Sequence, residues 1–306
     1  MLDYLKCPLT RKVSGGNETA SLRFGFASMQ GWRASMEDAH IVRAELVPGV
    51  GLFAVFDGHG GAAVARFCEK FFADVLRKNA AFIGGRYRQA LEESFLRMDE
   101  LLGSPAGAAQ LEALCRDAGS PRRGVDMRGS MGCTAVVTLI TPGSVVCAGA
   151  GDSRAYIVGA SGAAVALTRD HRPEDPIEAA RVRGAGGKIA DGRVNETLNL
   201  TRAIGDLDLK QNKALKPEEQ IISAFPEVKE FPLNPRPQFL LLGCDGVFES
   251  LPPPELIQLA SDSLYSAKLT PAKTAEKLLD AVIGSGPNAD DDVGCDNMTA
   301  IIVQFK

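Results

Sequence analysis

Two apolar periods alternate along the chain. Leu22-Arg23-Phe24-Gly25-Phe26-Ala27-Ser28-Met29 alternates as a strand does, and His40–Val47 and Val50–Phe56 predict two more strands around the turn Pro48-Gly49. The run Leu52-Phe53-Ala54-Val55-Phe56 is apolar throughout and reads as a buried strand. After Gly58–Gly61 the period becomes helical: Val64, Phe67, Cys68, Phe71 and Val75 share one face. Residues 86–102 predict a second helix with Leu91, Phe95, Met98 and Leu102 on one side. Gly103–Gly129, rich in Gly, Ala and Arg, reads as a surface insertion with a short helix near Ala108–Cys115. Strands resume as an antiparallel meander at Cys133–Thr141, Ser144–Gly149, Ser153–Val158 and Ala163–Thr168.

Residues 169–218 are rich in charge, Gly and Pro. They predict a lobe over the sheet edge, with a short helix at Pro176–Gly184. Ser223–Phe231 and Gln238–Cys244 read as strands. Pro254–Leu264 and Pro271–Ile283 read as helices with prolines at their starts, and Met298–Phe305 as a closing strand. Strands, two helices, strands, two helices and a strand make an α+β chain with an antiparallel core. Residues 1–20, polar and flexible in composition around Ser14-Gly15-Gly16-Asn17, are expected to be a loosely held arm before a single domain, 21–306.

Composition narrows the function. The 306 residues are 45% hydrophobic, enough for one large core, and the net charge of −4 offers no basic excess for nucleic acid or an anionic membrane. No apolar run approaches membrane-spanning length. Met1-Leu2-Asp3-Tyr4-Leu5-Lys6 lacks the basic and apolar regions of a signal peptide, so a cytoplasmic or nuclear location is expected. The seven cysteines include no Cys-x-x-Cys pair and are expected to be reduced, without a zinc site.

The candidate chemistry lies at strand ends. Asp57 follows the buried run, Asp245 follows Phe239–Cys244, and Asp296 immediately precedes Met298–Phe305. Glu37 stands on the turn before another strand. If these strands are neighbours, their carboxylates converge and repel unless cations neutralise them or some are protonated. Oxygen ligands without Cys or His suit Mg²⁺ or Mn²⁺, and Mg²⁺ keeps several waters, so few carboxylates per ion suffice. For a solitary Asp-Gly the alternative is an isolated surface or capping acid. The triple Asp290-Asp291-Asp292 reads as a solvated charge run.

A set of motifs runs in one order across residues 22–305. They are Ser28-Met29-Gln30-Gly31-Trp32-Arg33, Met36-Glu37-Asp38-Ala39-His40, Phe56-Asp57-Gly58-His59-Gly60-Gly61, Gly132-Cys133-Thr134-Ala135 and Ala150-Gly151-Asp152-Ser153-Arg154. Thr168-Arg169-Asp170-His171-Arg172-Pro173, Thr201-Arg202-Ala203-Ile204-Gly205-Asp206, Cys244-Asp245-Gly246 and Asp296-Asn297-Met298-Thr299 follow. In these the chain resembles the type 2C serine/threonine protein phosphatases, the metal-dependent PPM family. The resemblance implies a central sandwich of two antiparallel β-sheets flanked by antiparallel helix pairs, with a flap at about 169–206.

It also implies two Mg²⁺ or Mn²⁺ ions bridged by Asp57. Asp245 and Asp296 would complete one site, and Glu37 and the Gly58 carbonyl the other. Asp152 would contribute to a third, with Glu249 where the family commonly has Asp. Arg33 would hold the substrate phosphate, His59 would act as general acid, and Asp38 would orient metal-bound water. The substrates implied are phosphoserine and phosphothreonine proteins, acted on by a monomer without nucleic-acid or membrane partners. Two readings of single residues stay open: a hydrogen-bonding role for His59, and a salt bridge from Arg33 to Glu37 or Asp38. Thr201 stands where Ser is common. A pseudophosphatase binding module and a metal-dependent phosphodiesterase or nuclease are the competing functions. The intact acids Glu37, Asp57, Asp245 and Asp296 argue against the first, and the acidic balance against the second.

Overall fold

Alternate side chains of a strand point to opposite faces, and the run at Val50–Phe56 is covered on both. In the computed structural model, which describes residues 4–117, 128–287 and 292–306, Leu52, Ala54 and Phe56 pack towards helices. Phe53 and Val55 pack into a core shared with a second sheet. Neither face meets water, hence the absence of polar alternation.

The elements follow one another as β1 (Tyr4–Glu18), β2 (Leu22–Arg33), β3 (Ala39–Val47), β4 (Val50–Phe56) and the short β5 (Gly58–His59). Then come α1 (Ala63–Lys78), α2 (Ala80–Ile83), α3 (Tyr87–Gly103) and α4 (Pro105–Asp117). β6 (Gly132–Cys133), β7 (Ala135–Ile140), β8 (Ser144–Ala150), β9 (Arg154–Val158) and β10 (Ala164–Ala166) follow. The next stretch holds α5 (Pro176–Gly184), β11 (Ile189–Ala190), β12 (Arg193–Val194) and β13 (Ile204–Gly205). The chain closes with β14 (Glu227–Pro232), β15 (Phe239–Gly243), α6 (Asp245–Phe248), α7 (Pro253–Ser261), α8 (Pro271–Val282) and β16 (Met298–Phe305).

Two sheets form the sandwich, ordered β1-β2-β16-β15-β9-β10 and β14-β8-β7-β4-β3, with a small β13-β6-β5 sheet beside them. Every pairing between these strands is antiparallel. α1 and α3 pack on the five-stranded sheet and α8 on the six-stranded one. The α+β sandwich is therefore as expected. α8 illustrates the local logic: Thr270 accepts from Lys273 N at its start, Pro271 sits in its first turn, and Ala275, Leu278, Leu279 and Val282 are buried. No helix among the described residues is long and apolar enough to cross a membrane.

Three expectations need correction. The loosely held arm is instead the edge strand β1, registered along β2 and tied to α8 by Lys12–Asp280 and Ser14–Glu276 contacts. Its polarity reflects an exposed edge, where charged residues discourage further pairing. The meander divides between layers: β8 belongs to one sheet and β9 to the other, with the chain crossing at Gly151-Asp152-Ser153. Alternation reads the same whichever sheet receives a strand. The insertion begins as a full helix, α4, whose Leu111 is buried; residues 118–127 lie outside the described set. The polar lobe carries its helix α5 at the expected Pro176–Gly184 and has a small core formed by Val182, Val194, Leu200, Ala203 and Ile222.

Candidate metal centre

Strand pairing brings the acids together. Ala39 lies opposite Phe56 across β3 and β4, so Asp38 and Asp57, one residue beyond each, leave the five-stranded sheet side by side. Gly243 lies opposite Ala300 across β15 and β16, so Asp245 and Asp296 leave the six-stranded sheet at the same end. Gly246 permits this approach: a Cβ there would fall 2.2 Å from the Asn297 carbonyl oxygen. Asp152 comes from the crossing between layers, and Glu249 follows Asp245 by one helical turn, donating its N–H to the Asp245 carbonyl at 3.0 Å.

The cluster is electrostatically frustrated. Burial, followed by the charges of Asp38, Asp245, Asp296 and Asp152, pushes the Asp57 carboxyl well above the usual carboxylate range. Asp245 is raised by burial and then by Asp152, Glu249 and Asp296. Burial lifts Asp38 to about 6, although Thr299 Oγ1 donates to its Oδ2 at 2.7 Å. Asp38 Oδ1 and Asp245 Oδ1 are buried with no hydrogen-bond partner among the described residues. Buried oxygens of this kind need a proton or a cation.

The donor set fits a hard divalent ion. One oxygen each from Asp38 and Asp57 and the Cys244 sulfur lie within 4.8 Å of one another. Burial, followed by the charges of Asp38, Asp57 and Asp245, pushes the Cys244 thiol well above its ordinary range, which disfavours the thiolate a metal would need. Its Sγ accepts from Thr299 N at 3.2 Å and faces the Asn297 carbonyl at 3.5 Å. Oxygens remain, the preference of Mg²⁺ and Mn²⁺. Glu37 stands on the turn side: its Oε2 accepts from Gly61 N at 3.0 Å and its Oε1 from Ser35 Oγ at 2.8 Å. Gly58 is close by, where a Cβ would fall 2.6 Å from the Glu37 carbonyl oxygen.

Arg33 borders the acids on the Asp296 side. Arg33 Nη2 donates to Asp296 Oδ2 at 2.5 Å, while its buried Nε has no partner among the described residues. The salt bridge is thus to Asp296, and not to Glu37 or Asp38. The Tyr4 ring lies 5.9 Å from the Arg33 guanidinium carbon, and Tyr4 Oη donates to Asp292 Oδ2 at 2.9 Å. Asp292 is therefore engaged, while Asp290 and Asp291 lie outside the described residues.

His59 Nε2 is 2.7 Å from Asp206 Oδ2. Burial opposes a charged imidazole, but the charge and hydrogen bond of Asp206 outweigh it and raise His59 above its ordinary 6.5. β5, β6 and β13 hold this pair, and Gly132 between them leaves room: a Cβ there would sit 2.5 Å from His59 Nε2.

This acidic rim lies inside a recognisable sequence. Residues 22–293 match the family model described as Protein phosphatase 2C. The chain belongs to the protein phosphatase 2C family. "Probable protein phosphatase 2C 3" of Paramecium tetraurelia is 44% identical over 307 residues, spanning 99% of each chain. A phosphatase from Toxoplasma gondii superposes with a TM-score of 0.74 at 26% identity, covering 96% of each chain. A serine-threonine phosphatase 2C from the same organism shares the fold, with a TM-score of 0.72 at 19% identity over 97% of this chain and 99% of that one.

Within this protein phosphatase 2C domain, Asp38, Asp57, Asp152, Asp245, Glu249 and Asp296 face one another, with Arg33 on the border. Glu37, Gly58 and His59 occupy the adjoining turn. Several contributors carried no assigned role in the sequence reading. Asp206 and Asn297 stood inside recognised motifs, and Asn297 ties the rim together by accepting from Glu37 N at 2.8 Å and donating to Gln30 and Ser35 carbonyls. Tyr4 had no signal, because its segment read as an arm.

Proposed function

We propose that this protein phosphatase 2C hydrolyses phosphoserine and phosphothreonine in proteins at a pair of Mg²⁺ or Mn²⁺ ions. Asp57 would be shared between the ions, Asp245 and Asp296 would serve one, and Glu37 with the Gly58 carbonyl the other. The observation that carries the reading is the convergence of buried and half-buried carboxylates from both sheets, with Asp38 Oδ1 and Asp245 Oδ1 left without a hydrogen-bond partner among the described residues. When bound, such ions supply an ionised water as nucleophile at neutral pH and positive charge beside the phosphate oxygens.

The chain's own groups do the rest. Arg33 binds the phosphate: Asp296 fixes one arm of its guanidinium, whose planar fork matches phosphate oxygens. Asp38, held by Thr299, orients the water. His59 is engaged through Nε2 by Asp206, which leaves Nδ1 as the ring nitrogen able to pass a proton to the leaving serine or threonine oxygen. That oxygen is a poor leaving group, so a positioned acid contributes strongly. The net charge of −4 suits protein substrates better than nucleic acid, and the reading is of a monomer acting in the cytoplasm or nucleus.

The test is phosphate release from a phosphothreonine peptide with Mn²⁺ and with EDTA. Release that depends on Mn²⁺, and is lost in Asp57→Ala at every Mn²⁺ concentration, is the expected result. Release that persists in EDTA overturns the reading.

A further inference from the structure

Arg172 stands among the acids on the outer side of the centre. Its Nη2 lies 3.4 Å from Asp152 Oδ2 and 3.7 Å from Glu249 Oε1. Its Nε donates to Asp170 Oδ2 at 3.1 Å. The mount is firm. Arg154 grips the same Asp170 through two hydrogen bonds of 2.8 and 2.7 Å. The preceding residue, His171, is fully buried and donates its backbone N–H to the Gly151 carbonyl at 3.0 Å. Pro173 follows and restricts the backbone of Arg172. A guanidinium held in this way lies between the two acids most suited to an ion beyond the first pair.

We propose that the Arg172 guanidinium is a tethered cation standing in for a third divalent ion between Asp152 and Glu249, so that such an ion enters only by displacing it. This rests on the two-ion reading of the neighbouring acids. Three features support competition. Arg172 meets both carboxylates with one nitrogen, so an ion bridging them would occupy the space of that nitrogen. Asp152 is almost wholly buried while Arg172 is about a third exposed, so the arginine is the partner able to withdraw. Like charges at such spacing repel, and an arginine stays charged at any working pH. Because Arg172 lies near the start of the polar lobe, its release also frees one of the lobe's attachments to the acids.

The measurement is Mn²⁺ binding to the full chain, by calorimetry and by the relaxation of water protons around bound Mn²⁺. Wild type is compared with Arg172→Gln and Arg172→Lys, with thermal melts confirming that each is folded. Arg172→Gln is expected to tighten the weakest Mn²⁺ site by roughly tenfold, the scale of one partly screened charge removed at short range. The two tighter sites stay unchanged, and Arg172→Lys stays close to wild type. Adding Asp152→Asn to Arg172→Gln should abolish the gain. An unchanged or weakened third site in Arg172→Gln, or no third ion at all, overturns the proposal while the two tighter ions remain. Absence of the two tighter ions in wild type overturns the two-ion reading itself, and the proposal with it.

Discussion

Replacing Asp57 by Asn should have opposite effects on stability with and without metal. The nearest oxygens of Asp38 and Asp57 share a space 4.8 Å across. Two unit charges at that separation, in the effective dielectric of a partly buried site, repel by about 3 kcal/mol. Burial and neighbouring acids raise the proton affinity of Asp57, so protonation relieves part of this in the metal-free protein. A gain of about 1–3 kcal/mol on removing the charge is therefore expected in EDTA. It corresponds to a rise in melting temperature of roughly 2–6 °C for a domain of this size. In Mn²⁺ the sign reverses. Each site filled at a hundred times its dissociation constant stabilises the native state by about 2.7 kcal/mol, and on the proposed two-ion reading the Asp57→Asn protein forfeits the ligand both ions would share. Differential scanning fluorimetry of both proteins, in EDTA and across a Mn²⁺ series, reads the crossing directly. Equal destabilisation of Asp57→Asn in both conditions would refute the like-charge argument and leave Asp57 a purely structural group.

Other substitutions probe separate parts of the molecule. Glu178 is buried and accepts hydrogen bonds from Arg181, Arg202 and Thr201. Burial opposes its ionisation, yet the Arg202 and Arg181 contacts outweigh this and hold its carboxyl below the ordinary 4.5. Glu178→Gln should cost about 3–5 kcal/mol in urea unfolding at pH 7. Because the folded carboxyl is the stronger acid, that advantage is present above pH 4.5 and fades below it, so the gap between the two proteins should narrow there; a gap that widens in acid contradicts the assignment. His59→Ala should lower kcat on alkyl phosphates by roughly 10²–10³-fold and on activated aryl phosphates far less; equal losses would show that His59 does not donate the proton. Arg33→Ala should lower kcat/KM for the phosphopeptide by about 10²-fold or more, and an unchanged ratio would exclude it from phosphate binding.

The sequence conveyed the elements better than their partners. β4 was legible because both its faces are buried, and Pro176–Gly184 because a proline opens the helix and the apolar positions end with it. The acids Asp57, Asp245 and Asp296 were legible as a group because each ends or begins an apolar strand. What stayed hidden depends on distant contacts. Asp206 reaches His59 from 147 residues away, and Tyr4 meets Asp292 across 288. No local period reports such pairs. β1 was misread because most of it meets solvent, its apolar Leu9 and Val13 included, and its ties to α8 use polar side chains, so no buried apolar period marks it as structured. The division of β8 and β9 between sheets was hidden for a related reason: a turn of Gly151, Asp152 and Ser153 suits a hairpin as well as a crossing.

The chain's passage between layers at Asp152 has a wider implication. Asp38 and Asp57 ride on one sheet, and Asp245 and Asp296 on the other. Any slippage of the sandwich, even far from the rim, would pull the proposed ligand set apart before the protein unravels. Affinity for manganese should thus serve as a gauge of interlayer alignment, and substitutions deep in the shared core could silence the enzyme while leaving its helices and strands intact.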